Sequence, residues 1–341
     1  MAAGPIPVAA YMETALAAYY ARGEAFGAAG DFTTAPEISQ MFGELVGLWA
    51  AVAWQGMGSP APVRLVELGP GRGTLVADFL RAAAGVPAFL AAIDPHLVET
   101  SPSLRALQRT ALGGRAATWH DGFEQVPGGP ILLIANEFFD ALPIRQFERT
   151  AEGWRERLVG LDGGGFRFVL GDPVAEPPLA EEVRGSPPGS IAETCPAGIA
   201  LAAAIGRRLA REGGAALIVD YGTARSAPGD SFQAVRRHAP HPPLENPGEA
   251  DLTAHVDFAA LAAAAKGEGA RVEGPIGQGL WLQRLGISVR ARALMDGKPP
   301  RQAAAVASAL QRLIGAEEMG TLFKALGLAA PSSPPLPGFG P

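Results

Sequence analysis

The stretch from Val63 to Leu80, VRLVELGPGRGTLVADFL, constrains this chain more than any other. It opens on Val63, Leu65 and Val66, an apolar run of the kind a buried parallel strand needs. Glu67 follows, then Gly69-Pro70-Gly71-Arg72-Gly73, then Leu75, Val76, Phe79 and Leu80 at helical spacing. Strand, glycine turn and helix make the first half of a nucleotide-binding βαβ unit. Glycines suit such a turn because a ligand passes close over the backbone, and the helix start offers free N–H groups. A dinucleotide fingerprint reads G-x-G-x-x-G/A. Here the glycines fall at 69, 71 and 73, and Thr74 holds the third glycine's place. Glu67 puts a carboxylate two positions before the first glycine, which suits a ligand with a positive end better than a pyrophosphate. The amino group of S-adenosylmethionine is such an end. On these residues alone, a dinucleotide enzyme and a turn that binds nothing stay open.

The arrangement E-x-G-x-G-x-G resembles the first motif of class I S-adenosylmethionine-dependent methyltransferases. Composition narrows the alternatives. The chain has 341 residues, 48% hydrophobic and 18% charged, enough for one large α/β domain with insertions or for two smaller domains. Net charge is −6, and no Lys/Arg cluster is denser than Arg236-Arg237, so nucleic-acid binding has no electrostatic support. A single cysteine, Cys195, excludes an intrachain disulfide framework and any multi-cysteine metal site. The first twenty residues carry Glu13 and no basic residue before Arg22, unlike a secretory signal or an Arg-rich transit peptide. No apolar run is long enough for a membrane span. The expected location is cytoplasmic.

Along the chain, residues 8–22 read as a helix, Gly27 to Glu37 as a loop, and Pro36 to Gln55 as a second helix. This pair is expected to cap the ligand site. Strands are expected at His96 to Thr100, Ala117 to Trp119, Pro130 to Asn136 and Ala215 to Tyr221, with two more around Gly277-Gln278-Gly279. Residues 146–190 read as an antiparallel insertion followed by a proline-rich loop, and Gly222 to His255 as a long segment of little regular signal. The expected fold is α/β, a doubly wound sheet of about seven strands whose last pair is antiparallel. The expected organisation is a helical cap over 1–60, a core over 61–290 with insertions at about 146–196 and 222–255, C-terminal helices over 291–328, and a disordered tail over 329–341.

In such a sheet the ligand lies outside the carboxyl ends of the strands. Glu99, ending the second strand, is placed to accept both ribose hydroxyls. Asp121, ending the third, either meets an adenine amino group or forms a turn with Gly122. Asn136, Glu137 and Asp140 follow the fourth strand, where an acceptor would stand. Methyl transfer is an in-line displacement at an activated sulfonium, so positioning and a group that holds the departing proton matter most. The alternative is that Asn136 and Asp140 are caps. Asp251, His255 and Asp257 read as capping groups more readily than as metal ligands, and no metal site is expected. No G-x-S-x-G elbow supports a hydrolase.

Several separated blocks carry a further likeness: GDFTTAPEISQMFGELVGLW from Gly30, LVELGPGRG from Leu65, HLVETSPSLRALQ from His96, ANEFFDALP from Ala135 and ENPGEADLTAHVDF from Glu245. With these blocks the chain resembles the MidA family (the DUF185 group), which includes the mitochondrial complex I assembly methyltransferase. The resemblance implies a class I methyltransferase fold with S-adenosylmethionine at Gly69 to Gly73 and Glu99, and Glu67 is expected to hold the methionine end together with those glycines. It also implies that Thr33, Thr34 and Pro36, in the Thr33 to Glu37 loop, and the Asn136 to Asp140 loop face cofactor and acceptor. The reaction it implies is methylation of a protein arginine, in the mitochondrial relatives symmetric dimethylation of a complex I subunit. Rivals are an assembly chaperone that keeps the fold without turnover, and a small-molecule methyltransferase. Oligomeric state stays open.

Overall fold

The computed structural model describes residues 4–21 and 34–340. Seven strands of an eight-stranded mixed sheet run in the order Arg271–Gly277, Phe323–Ala329, Gly214–Thr223, Ile131–Asn136, Val63–Leu68, Ile93–Val98 and Thr118–His120, and the eighth, Val256–Asp257, pairs with the end of Gly214–Thr223 off that path. Every neighbouring pair is parallel except those made by Phe323–Ala329, which runs antiparallel to both its neighbours. Val63–Leu68 is therefore the switch point. The chain proceeds from it to Ile93–Val98 on one side and only later returns to its other side as Ile131–Asn136. Ile131 to Ala135 are all buried, as a strand covered on both faces requires. Phe42, Trp49, Phe79 and Phe89 are fully buried in the same core.

The chain folds into two compact units. Apart from Gly222, Thr223 and Val256–Asp257, the sheet belongs to the unit made of Thr33–Phe138, Ala202–Tyr221 and Ala262–Pro341. The other comprises Met1–Phe32, Phe139–Leu201 and Gly222–Leu261. It holds an antiparallel sheet of Ile6–Pro7, Arg145–Thr150, Gly153–Asp162, Gly165–Val174 and Ile191–Thr194, and a smaller sheet of Gln233–Arg236, Ala239–His241 and Asp251–Thr253. The helix Val8–Ala21 lays Val8, Tyr11, Met12 and Tyr19 against Ile144, Val159, Phe232 and Leu252, a core of its own.

Four expectations change. The two N-terminal helices fall in different units, because Val8–Ala21 packs on the inserted sheet while Gln40–Gly56 packs on Thr74–Ala83. The second helix is broken at Ser39, which stays extended (φ −163°) so that its hydroxyl accepts the Met41 N–H at 3.2 Å. Gln278–Arg284 is a helix, and the seventh strand is Phe323–Ala329, which had read as part of the C-terminal helices. Its sequence, FKALGLA, has little strand propensity; burial between two partners decides its conformation. The 329–341 segment is ordered over its described residues. Leu336 is buried, its N–H donates to the Glu273 carboxylate at 3.1 Å, and the Phe339 ring lies 6.4 Å from Trp281, tilted by 41°.

Truncating a buried leucine leaves a cavity that its surroundings only partly fill. Leu336→Ala should therefore cost about 2 to 5 kcal/mol in urea denaturation of the full chain. A loss within about 0.5 kcal/mol, the range of a surface change, would show that this segment does not pack on the sheet unit.

Candidate active site

The glycine turn leaves the Val63–Leu68 strand in left-handed backbone: φ is +61° at Gly69, +54° at Gly71 and +83° at Gly73. L side chains resist that region because Cβ crowds the following carbonyl. Gly69 N donates to Val98 O at 3.0 Å and Gly73 N to Pro70 O at 2.8 Å, after which the helix Thr74–Ala83 begins. The first and last glycines also admit the protein's own groups. A Cβ at Gly69 would stand 2.7 Å from Phe138 Cδ2, and one at Gly73 would stand 3.2 Å from Gln108 Cα. The sequence reading had assigned these glycines to a ligand alone.

Glu67, the last but one residue of its strand, is buried, and its Oε2 has no hydrogen-bond partner among the described residues. Burial pushes its carboxyl up from 4.5 to about 8, so the group is mostly neutral at pH 7. An uncompensated buried acid of this kind is a favourable place for a cation to dock.

Glu99 is fixed from two sides. Ser101 N donates to Oε1 at 2.8 Å and Gln108 Nε2 to Oε2 at 3.2 Å. Burial raises its carboxyl and those donors oppose the rise. Arg105 donates through Nε to Glu99 O at 2.6 Å and through Nη2 to Asp121 Oδ1 at 2.6 Å. Asp121 is exposed and already ion-paired there.

Past Ile131–Asn136 the backbone turns at Glu137, which takes φ +50°, a rare conformation for a glutamate and one that neighbours must hold. Three bonds hold it: Glu137 N to Val219 O at 2.9 Å, Phe138 N to Asp220 Oδ2 at 3.1 Å, and Ala35 N to Glu137 Oε1 at 2.8 Å. Asn136 Nδ2 adds a second donor to the same Oε1 at 3.1 Å, while Asn136 Oδ1 is buried with no partner among the described residues. Thr34 is the N-cap of the short helix Ala35–Ile38, with Pro36 in its first turn. Glu37 then accepts from Thr74 Oγ1 at 2.6 Å.

The structure thus links Thr34 to Pro36 with Asn136 and Glu137, and the glycine turn with Glu99. Asp140 lies in the other unit, buried, where its carbonyl accepts from Ala254 N at 3.0 Å. Thr33 lies outside the described residues. Asp257 caps the next helix, with Oδ1 accepting Ala260 N at 3.0 Å and Oδ2 accepting Ser226 Oγ at 2.6 Å. Asp251 accepts from Tyr20 OH at 3.3 Å. Among the described residues no His/Cys/Asp/Glu group is arranged to hold a metal, and no helix is long and apolar enough to cross a membrane. Sequence reasoning missed Asp220, Gln108, Arg105 and Glu37. Asp220 had a signal, since it is an acid near the carboxyl end of the buried strand in AALIVDY, much as Glu67 is in LVE. Gln108 had none beyond its place in the HLVETSPSLRALQ block.

Comparison with known proteins identifies the family. The family model of S-adenosyl-L-methionine-dependent methyltransferases matches residues 45–276. The chain is 39% identical over 356 residues to the mitochondrial protein arginine methyltransferase NDUFAF7 of Danio rerio, covering 95% of this chain and 83% of that protein. It is 38% identical over 366 residues to the Drosophila melanogaster homologue, covering 96% and 82%. A Burkholderia thailandensis crystal structure bound to S-adenosyl-homocysteine is 31% identical, with a TM-score of 0.84, and covers 99% of this chain and 91% of that one. The relatives' names overturn the expected cytoplasmic location, since those of Danio rerio, Drosophila melanogaster and Mus musculus are all named mitochondrial. One cysteine reads alike in any reducing compartment, and the composition of a folded chain does not encode its address.

The buried Glu67 also sets a pH dependence. Its folded value, about 8, lies above the ordinary 4.5, so the ligand-free folded chain holds a proton that the unfolded chain releases between those limits. Stability from this group is complete below 4.5 and is lost as pH rises through about 8. Glu67→Gln should gain on the parent as pH rises from 6 to 8, by up to about 1.4 kcal/mol per pH unit, in urea midpoints with their m-values. A pH-independent gap would mean that Glu67 is not buried uncompensated.

Proposed function

This chain belongs to the S-adenosyl-L-methionine-dependent methyltransferase family, and on that premise we propose that it methylates an arginine side chain of a protein acceptor. The observation that carries the reading is the extent of the likeness to relatives named protein arginine methyltransferase. It covers 95% of the chain at 39% identity, so it includes the inserted unit as well as the sheet.

The residues fit this cofactor. Glu67 offers a buried carboxyl oxygen with no partner among the described residues, beside a left-handed glycine turn and a helix start. In this reading Glu67, Gly69, Gly71 and Gly73 hold the methionine end, its ammonium drawing the Glu67 proton off. Glu99 accepts the ribose hydroxyls, and Asp121, steadied by Arg105, meets the adenine edge. Thr34 and Pro36, at the start of the short helix Ala35–Ile38, face the methyl group. When bound, the cofactor supplies an activated methyl on a sulfonium.

The chain's own task is then to orient the acceptor nitrogen and hold its proton. A guanidinium is protonated at neutral pH and spreads its charge over three nitrogens. A fixed carboxylate localises that charge and leaves one nitrogen's lone pair available. Glu137 is such a carboxylate: two donors on Oε1 set its orientation, and the turn that carries it is held by Val219 and Asp220. Asn136 lines the same turn. A complex I-like subunit and symmetric dimethylation are the first acceptor and product to test.

Calorimetry should show binding of S-adenosylmethionine and S-adenosylhomocysteine and none of NAD. Label transfer to arginine-bearing and lysine-bearing peptides should favour arginine, and mass spectrometry of the product gives its methylation state. Glu137→Gln should lower kcat about 10²- to 10⁴-fold while changing cofactor Kd less than about threefold. Transfer to lysine only, or to small amines without any protein acceptor, would overturn the arginine reading.

A further inference from the structure

Gln108 sits on the helix Pro102–Ala111 with none of its surface exposed, yet it is polar. Its Nε2 donates to Gly71 O at 2.8 Å and to Glu99 Oε2 at 3.2 Å, and its Oε1 accepts from Trp119 Nε1 at 2.7 Å. One side chain therefore joins three elements: the glycine turn after the first core strand, the carboxylate after the second, and the third strand itself.

We propose that Gln108 is a positioning residue that fixes the Glu99 carboxylate against the glycine turn, so that recognition of a ribose 2′-hydroxyl depends on a side chain whose amide is spent on protein partners. This rests on the reading of Glu99 as the ribose acceptor.

The amide has only one orientation that works. An indole N–H donates and never accepts, so Trp119 must face the amide oxygen. Both Nε2 hydrogens then point at the two acceptors, Gly71 O and Glu99 Oε2. Arg109 lies over the Trp119 ring at 4.6 Å, which steadies the indole from outside. Gly73 has no Cβ where one would stand 3.2 Å from Gln108 Cα, so the helix can approach the turn closely enough for the bridge to form.

The effect on Glu99 follows. Ser101 N holds Oε1 and Gln108 Nε2 holds Oε2, and the Thr100 backbone also donates toward the carboxylate. An ionised carboxylate has about four lone-pair sites, so these donors leave it capacity to accept from a ribose hydroxyl. Losing the Gln108 bond frees the carboxylate to rotate about its last torsion and leaves the raising effect of burial less opposed.

The test measures S-adenosylhomocysteine and its 2′-deoxy analogue by calorimetry on the full chain, for the parent, Gln108→Leu, Trp119→Phe and Glu99→Gln. The parent should prefer the ribose compound at least about tenfold, and Glu99→Gln should lose most of that preference. Gln108→Leu, of similar bulk, should weaken S-adenosylhomocysteine about tenfold or more and bring the preference down at least about fivefold. Trp119→Phe, which leaves the amide free to flip, should fall between parent and Gln108→Leu, and the double variant should bind no worse than Gln108→Leu alone. If Gln108→Leu does not fold, Trp119→Phe decides. A merely structural role would lower melting temperature and weaken both ligands equally; an unchanged preference in Gln108→Leu and Trp119→Phe overturns the proposal. An unchanged preference in Glu99→Gln shows instead that Glu99 is not the ribose acceptor, and the proposal falls with that reading.

Discussion

The reversal of strand order at Val63–Leu68 is the constraint on which the site depends. Parallel strands bring their carboxyl ends to one edge of a sheet, and where the order reverses the two neighbouring connections diverge and leave a crevice. Val63–Leu68 pairs with Ile93–Val98 on one side and Ile131–Asn136 on the other, so Glu67, Glu99 and Asn136 emerge along one edge. The glycine turn lets the backbone leave that edge sharply, and Phe138 closes against it where Gly69 lacks a Cβ. No single loop makes this site. It is the edge of a sheet.

Three acids at strand ends show how one residue type takes different roles from its surroundings. Asp220 is fully buried and gives one oxygen to Phe138 N and the other to Tyr221 N, so it serves as a clamp on the turn carrying Glu137. Glu99 has Ser101 N on one oxygen and Gln108 Nε2 on the other, a carboxylate held in place. Glu67 has a buried oxygen without a partner among the described residues, and burial raises its carboxyl to about 8. The partnered acids hold the frame. The uncompensated one changes charge most readily when a cation arrives.

Legibility in the sequence followed how local the signal was. PILLIAN and AALIVDY announced buried strands because a strand covered on both faces must be apolar throughout. FKALGLA did not, since Ala, Gly and Lys carry no strand signal and only the pairing with Gly214–Thr223 and Arg271–Gly277 makes it one. The three short strands between Gln233 and Thr253 were illegible for a similar reason, being too short to show a period. The helical pair expected over residues 1–60 divides between the two units because adjacency in sequence does not fix which core a helix joins. Val8–Ala21 found its apolar partners in Phe232 and Leu252, more than two hundred residues away.

By itself the sequence determined the parallel sheet, its glycine turn and the acids at the ends of its strands. Each of these rests on a local rule: an apolar run, a left-handed turn that only glycine enters freely, a polar residue where a buried strand ends. Tertiary structure alone decided which of those acids would be satisfied, that Gln108 would bridge the turn to Glu99, and that Glu137 would be held in a left-handed conformation by Val219, Asp220 and Ala35. A hydrogen-bond partner 82 or 102 positions away leaves no mark on the local pattern, because the free energy of a buried polar group depends on what the fold brings beside it.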